Sequence, residues 1–117
     1  MDEAMNLQQI IDQLNLTVLT EAGAFANITP TGGYSSDLLS CVIAGAKKGF
    51  IWTTLQAHLN IVAVAALTEV AAVIITENAQ PDAPSIAKAN QQGVVLLSTP
   101  QSTYEVNGKL WEIGVRN

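Results

Sequence analysis

In the first part of this chain, the spacing of apolar and polar residues is typical of a helix in one segment and of a strand in the next. Residues 7–14 carry apolar side chains at helical spacing, and Asn6 stands before them as an N-cap candidate. Residues 16–20 predict a short strand, and residues 21–26 a turn-rich connection. Such an opening also fits the first helices of a winged-helix module. The absence of a basic recognition helix further along the chain argues against that alternative.

Two glycines and a proline interrupt the next strand pattern. Residues 28–34 predict an edge or irregular strand, because Pro30 cannot donate to a sheet ladder. Gly32 and Gly33 allow the backbone to turn sharply or to approach another group closely. A helix is expected to follow and to end at Gly49, behind two lysines. Its N-cap candidates are Ser35, Ser36 and Asp37.

From residue 50 onward, continuous apolar strands alternate with helical segments. Strands with this character are typical of a parallel sheet that is covered on both faces. The expected elements are strands at 50–55, 72–76 and 94–97, helices at about 57–70 and 86–92, a short helix or turn at 102–110 and a terminal strand or arm at 111–115. This order predicts a single α/β domain over residues 1–117 with three layers, a mainly parallel sheet with flanking helices.

The composition is apolar for a domain of 117 residues. Hydrophobic residues make up 49% of the chain and charged residues 13%, so little charge is available to cover the surface. Uncovered apolar surface is commonly buried against a partner, and a second copy of the chain is the simplest one. We therefore expect a homodimer. The alternative is a monomer with an apolar core and an ordinary neutral surface.

The charge balance narrows the choice of partners. The net charge is −5, and the five scattered Lys and Arg residues do not form the basic stripe that a nucleic-acid backbone requires. The longest apolar run, residues 61–67, is far shorter than the ~20 residues that cross a bilayer. The first five residues contain two acids and no base, so no signal peptide is expected. We predict a cytoplasmic protein that binds neither nucleic acid nor membrane.

Polar side chains gather where the predicted parallel strands end. Ligands of open parallel sheets bind beyond the carboxyl ends of the strands, and a helix N-terminus there attracts anions. A phosphate or nucleotide is therefore one expected ligand, although the same residue types also cap helices. The candidate ligand-binding residues are Thr53, Thr54, Gln56, His58, Asn60, Glu77, Ser98 and Thr99. Gly32 and Gly33 are further candidates, with a tight turn as the alternative.

No catalytic set stands out in the sequence. His58 is the only histidine, and a proton-transfer role would need a neighbouring carboxylate such as Glu77 or Asp37. The alternative for His58 is a capping or packing role. There is no phosphate loop, no dinucleotide-binding glycine motif and no spaced Cys/His cluster, so no cofactor and no metal are predicted.

The sequence pattern also predicts where the cysteine and several aromatic side chains lie. Cys41 falls within a helical apolar pattern and is predicted to be a buried, inert thiol. Trp52 belongs to a strand and is predicted to lie in the core. Tyr104 and Trp111 lie in the less periodic C-terminal part and are candidates for an interface.

Several of these segments together resemble the DRTGG domain family. The resemblance runs over nearly the whole chain and is carried by residues 31–34, 36–40, 51–56, His58, 60–65 and 96–99. On this alignment the Asp and Arg of the family name are absent, because Thr29 and Pro30 precede Thr31. The resemblance implies an α/β fold similar to the N-terminal domain of HPr kinase/phosphorylase.

The resemblance also implies a role. Related domains occur as non-catalytic modules beside nucleotide-binding CBS pairs, and free-standing copies are often dimeric. Some of these copies are called serine kinases, which the missing phosphate loop argues against here. We therefore expect a non-catalytic regulatory or assembly module that acts as a homodimer and contacts another protein or a phosphate-containing small molecule. The alternative is a sensor that binds a nucleotide or phosphorylated metabolite at the strand ends.

Overall fold

The computed structural model describes residues 4–21 and 23–117 of the chain. Five helices and five strands alternate through most of this length. The helices are α1 (Leu7–Leu14), α2 (Leu39–Gly45), α3 (Asn60–Thr68), α4 (Ala83–Gln92) and α5 (Thr103–Glu112). The strands are β1 (Thr17–Val18), β2 (Gly32–Ser35), β3 (Phe50–Thr54), β4 (Ala72–Ile75) and β5 (Leu96–Ser98), and a short 3₁₀ turn covers Phe25–Asn27.

The strands form one sheet in the order β1-β5-β4-β3-β2. Strands β2 to β5 are parallel, and β1 pairs with β5 in the antiparallel direction. Each parallel strand lies next to the strand before it, so right-handed crossovers bring the connecting helices α2, α3 and α4 to the same face. Helices α1 and α5 cover the other face. The predicted three-layer α/β fold with a mainly parallel sheet is confirmed.

Each face of the sheet carries its own core, because successive strand residues point to opposite sides. Ile51 and Ile74 lie in the core beneath α1 and α5, whereas Trp52 and Val73 lie in the core beneath α2, α3 and α4. All four side chains are fully buried. The prediction that Trp52 belongs to the core is therefore confirmed.

Local capping defines several helix ends as the sequence predicts. The Asn6 side chain accepts from the Gln9 N–H, and the Gln9 side chain accepts from the Asn6 N–H, so α1 begins with a capping box. Asn15 and Gly93 end α1 and α4 in the left-handed conformation that Gly and Asn adopt at low cost. A second capping box, which was not predicted, begins α5 at Ser102.

Helix α2 differs from the prediction at both ends. It begins at Leu39 without a side-chain cap, because the Asp37 carboxylate bonds to the end of β3 instead. It ends at Gly45 and not at Gly49. A Cβ atom on Gly45 would overlap the ring of Tyr34, so the last residue of α2 packs closely on β2. Gly49, at φ +84°, instead opens the turn into β3.

Other predicted boundaries also change. Strand β2 covers only the last part of the expected segment 28–34 and extends to Ser35, β1 is shorter than expected, and α3 starts three residues later than Ala57. The predicted terminal strand over 111–115 is wrong. The capping box at Ser102 starts a helix that runs on through Trp111, and the Val115 N–H then bonds back to the Leu110 carbonyl. Cys41 is exposed, so the predicted burial of its thiol is also wrong.

Candidate functional site

The carboxyl ends of β3 and β5 bring the predicted hydroxyl side chains to one edge of the sheet, but they are not open to solvent. Thr53, Thr54, Ser98 and Thr99 are all buried. Because they are buried, these four hydroxyls do not form an open ring at the sheet edge, and their role in ligand binding stays a prediction. The loops and helix α5 that cover this edge supply hydrogen-bond partners for several of these side chains, as buried hydroxyls require.

Thr54 is the centre of one such group. Its hydroxyl lies 2.8 Å from Asp37 Oδ1 and accepts from the Gln56 N–H at 3.1 Å. The same Asp37 oxygen accepts from the Leu55 N–H, and Gln56 Nε2 donates to the Asp37 carbonyl. Asp37 and Gln56 therefore hold the turn after β3 closed, and Gln56 uses its amide for structure.

Thr53 points to the opposite face of the sheet and bonds to helix α5. Its hydroxyl lies 2.7 Å from Asn107 Oδ1, and Asn107 Nδ2 donates to the Ser35 hydroxyl at 2.9 Å. The Asn107 carboxamide thus joins the ends of β2 and β3. The sequence reasoning missed Asn107, because a single Asn inside a helix resembles an ordinary surface residue.

Glu77 follows β4 in the left-handed conformation, as does Asn78. Glu77 Oε2 accepts from the Thr103 N–H at 2.8 Å and so satisfies one of the free donors at the start of α5. The neighbouring Thr76 and Thr103 hydroxyls also bond to each other. Glu77 is exposed, but its carboxylate already has a structural partner.

His58 and Asn60 lie at the start of α3 and are exposed. Leu59 precedes the helix and gives it no side-chain cap, so the first N–H groups have no side-chain acceptor. The candidate proton-transfer partners of His58 are both engaged elsewhere, Asp37 at the end of β3 and Glu77 at the start of α5. The structure does not assemble them with His58 into a catalytic group.

Asp82 is a further acidic group near His58. The hydroxyl and the N–H of Ser85 lie beside its carboxylate and hold the pKa of Asp82 below its ordinary value, with a smaller contribution from the charge of His58. The N–H bond measures 2.9 Å, whereas the buried hydroxyl has no hydrogen bond of standard geometry to another described residue. We therefore assign most of the effect to the backbone bond, which is the N-cap of α4.

Gly32 and Gly33 lie in the edge strand β2, and Gly32 stands at the amino end of that strand, away from the edge of Thr54. A Cβ atom on Gly32 would lie 2.8 Å from the Phe50 ring and 2.5 Å from Asn117 Oδ1, so close packing excludes any larger residue. The Gly33 N–H donates to Asn117 Oδ1 at 2.8 Å. The structure therefore separates this pair from the other predicted site residues.

Two surfaces were not found from the sequence. A cavity of about 170 Å³ lies between β2, β3 and α5, beside Asn107. A wider apolar groove of about 820 Å³ lies between α3 and α4. Neither has a local sequence signal, because each is formed by residues that are far apart along the chain.

Residues 4–21 and 23–117 carry neither a candidate metal cluster nor a candidate membrane span. In this part of the chain no three His, Cys, Asp or Glu side chains are grouped so that they could hold a metal ion. None of its helices is long and apolar enough to cross a membrane.

The fold and its polar strand edge are those of an α/β module. Comparison with known protein families identifies the family to which this module belongs. The model of the DRTGG domain matches residues 37–112, which is more than half of the chain. The chain belongs to the DRTGG domain family. The match does not include Thr31, Gly32 and Gly33. It therefore does not test whether this segment corresponds to the Thr-Gly-Gly that gives the family its name.

Among solved structures, the chain is similar to the CBS and DRTGG domains of the regulatory region of Clostridium perfringens pyrophosphatase, crystallised with the activator diadenosine tetraphosphate. The TM-score is 0.73 at 16% identity, and the alignment covers 90% of this chain and 45% of that one. The chain thus spans less than half of the matched structure, and at this identity the likeness establishes the fold. No curated protein sequence matches the chain.

Proposed function

We propose that this chain is a non-catalytic regulatory or assembly module that acts as a homodimer in the cytoplasm, with residues 1–117 forming one DRTGG domain. Two findings support a regulatory role. The chain belongs to the DRTGG family, and the related pyrophosphatase carries its DRTGG domain in a regulatory region. The engagement of Asp37 and Glu77 in structural hydrogen bonds, away from His58, supports a role without catalysis.

One observation carries the homodimer, namely an apolar surface on the side of the sheet that α2 and α3 cover. Large apolar side chains in these helices and in the turns before them are exposed: Leu38 (61%), Ile43 (50%), Leu55 (46%), Leu59 (50%) and Leu67 (66%). About half-exposed side chains of this size together leave roughly 400 Å² of apolar surface, the scale at which patches mark interaction sites. We call these five residues the apolar face.

A second copy of the chain is the occupant that this surface fits best. Leu59 and Leu67 line the groove between α3 and α4, and Leu38 and Ile43 belong to the start and the middle of α2, which packs against α3 on the same side of the sheet. In a two-fold interface the same surface of each copy contacts the other copy. A surface that carries both a groove and exposed apolar side chains can therefore pack against itself. The apolar character of α3 on all sides supports the same conclusion, since a helix of this kind is normally covered.

Sedimentation of the Leu67→Glu variant tests the homodimer. The parent chain is expected to sediment as a dimer at micromolar concentration. A two-fold interface loses two leucines per dimer, at about 1.5 kcal/mol each for a side chain that is two-thirds exposed, so dissociation should become roughly 100-fold easier.

The matched control is Tyr104→Glu. Tyr104 is 89% exposed and lies on α5, on the other side of the sheet, so the same type of change should leave the dimer intact. A parent chain that sediments as a monomer overturns the homodimer. A dimer that Tyr104→Glu dissociates and Leu67→Glu does not would move the interface to α5, where Tyr104 and Trp111 were the candidates.

The second candidate is a sensor of a nucleotide or phosphorylated metabolite at the strand ends. It is favoured by the start of α3, where no side chain caps the helix and His58 and Asn60 are exposed, although the Ile61 and Val62 N–H groups there donate to the His58 and Leu59 carbonyls. The related regulatory region was crystallised with a nucleotide activator, which supports the same idea. The carboxylates of Asp37, Glu77 and Asp82 at the same end of the sheet oppose it, because they repel phosphate.

Thermal unfolding with diadenosine tetraphosphate, ATP or inorganic phosphate tests the sensor. A ligand at a hundred times its dissociation constant adds about 2.7 kcal/mol to the stability, which is readily measured. His58→Ala and Asn60→Ala should each reduce the effect, whereas Gln91→Ala, at an exposed position of α4, should not. If none of these compounds raises the melting temperature, the sensor hypothesis fails.

A further inference from the structure

A cavity of about 170 Å³ lies on the α5 side of the sheet, away from the apolar face. Gly33 and Ser35 of β2 and Thr53 of β3 form its floor, and Asn107, Leu110 and Trp111 of α5 form its roof. Ser35 is exposed and Trp111 is 61% exposed, so the cavity opens to solvent beside them. We propose that this cavity binds a single planar heterocycle with a ring carbonyl beside an N–H, of the size and chemistry of a pyrimidine base.

The volume sets the size of the ligand. An engineered protein cavity of about 150 Å³ takes up benzene, so a space of this size holds one six-membered ring. Because the cavity opens on one side, a substituent on the ring can extend into solvent. A fused two-ring system, such as a purine, is larger than the enclosed part of the cavity.

The walls set the polarity of the ligand. Val115, which is partly exposed, offers apolar surface above the buried Ile51 and Leu110, and Trp111 offers an indole on which planar bases stack. The Arg116 guanidinium lies 5.2 Å from the centre of the Trp111 ring and its Nε donates to the Trp111 carbonyl, which holds the indole in place. The side chains that line the cavity carry no formal charge, which favours a neutral group in its enclosed part.

The Asn107 carboxamide sets the hydrogen-bonding pattern. It uses one N–H towards Ser35 and one lone pair towards Thr53, and each end of the group has a second position. An amide N–H next to an amide oxygen pairs with an adjacent acceptor and donor on a base edge. A ring carbonyl beside a ring N–H supplies that pattern, as in uracil.

The two tryptophans make binding measurable. The indole N–H of Trp52 is buried and donates to the Ser36 carbonyl, so it serves as an internal reference, whereas Trp111 lines the cavity. Titration with uracil or uridine should shift the Trp111 indole proton resonance and leave that of Trp52 unchanged. Ribose 5-phosphate and inorganic phosphate, which lack the ring, should shift neither.

A glycine pair provides the variant and its control. A Cβ on Gly33 would lie 3.7 Å from the Ile51 carbonyl oxygen and 3.8 Å from Val115 Cγ1, so Gly33→Ala fills cavity space without a clash. This variant should keep its fold and bind uracil about tenfold more weakly. Gly108→Ala, in the same helix as Asn107 but with no atom within 4 Å of the added Cβ, should bind as the parent does.

Two results would overturn the proposal. One is the absence of a saturable Trp111 shift with uracil, cytosine and uridine at millimolar concentration. The other is a folded Gly33→Ala variant that binds as tightly as the parent chain. Binding by Leu67→Glu at the strength of the parent separates this site from the homodimer, since Leu67 lies on the other side of the sheet.

Discussion

The Thr54 hydroxyl donates a hydrogen bond of 2.8 Å to the Asp37 carboxylate. Thr54 is the last residue of β3, and Asp37 lies in the segment between β2 and α2. The same carboxylate oxygen accepts from the Leu55 N–H at 2.9 Å. Asp37 therefore holds the end of β3 and is withdrawn from the start of α2, where the local pattern predicts a cap. This bond also explains why Thr54 can be buried without a ligand.

Replacing Asp37 by Ala is expected to lower the free energy of unfolding by about 2 kcal/mol, because the Thr54 hydroxyl and the Leu55 N–H lose a charged acceptor. Urea unfolding of the two chains measures the difference. Asp37→Asn keeps an acceptor oxygen in the same place and should lose only about half as much. A loss below about 0.5 kcal/mol for Asp37→Ala, the level of ordinary surface substitutions, would contradict this role.

Replacing Glu69 by Gly is expected to stabilise the chain by about 1 kcal/mol. Glu69 ends α3 at φ 56°, ψ 38°, a left-handed conformation that costs a residue with a Cβ more than it costs glycine. Its ion pair with Lys48, at 3.8 Å between exposed side chains, contributes little. Glu69→Ala removes the same charge but keeps the Cβ, so it should leave the melting temperature nearly unchanged. Equal gains for both variants would assign the effect to charge.

Replacing Asp82 by Asn is expected to change the pH dependence of stability. The hydroxyl and the N–H of Ser85 beside the Asp82 carboxylate lower the pKa of Asp82 from its ordinary value of 3.8, so the folded state favours the ionised carboxylate. Stability from this source is fully present above that value and is lost as the pH falls through the lower folded pKa. Asn is an equally good N-cap that does not ionise.

The difference in melting temperature between the parent and Asp82→Asn should therefore be largest near neutral pH and shrink in acid. Asp12→Asn is the matched control, because Asp12 is also an exposed carboxylate on a helix, but it accepts from the Gln8 side chain and caps no helix. A difference for Asp82→Asn that stays constant from neutral to acidic pH would rule out this linkage.

Local features of the structure were predictable because they depend on neighbouring residues. Asn6 and the helical spacing after it define α1, and Gly93 ends α4, since capping and left-handed backbone need only the residues nearby. The alternation of apolar strands and helices from residue 50 was sufficient for a parallel α/β sheet. The terminal strand was wrong because residues 111–115 have a weak period, and the capping box of α5 carries the helix into them.

The candidate site was predicted less well, because it depends on contacts between distant residues. The strand ends were located correctly, but whether Thr53 or Thr54 faces a ligand depends on what covers it. Asn107 is 54 positions away from Thr53 in the chain, and no local pattern connects the two. The exposed Cys41 is a similar case, since the helix that carries it turns another side toward its core.

The sequence alone thus determined the class of fold, the order of the elements from β3 to β5 and the helix ends at Asn6, Asn15 and Gly93, because each depends on the period and conformation of adjacent residues. The tertiary structure decided which polar side chains at the strand ends are buried, where a cavity opens beneath α5 and which apolar side chains of α2 and α3 remain exposed. These features arise where separate helices meet the sheet, and such packing depends on shape and distance that a linear pattern does not contain.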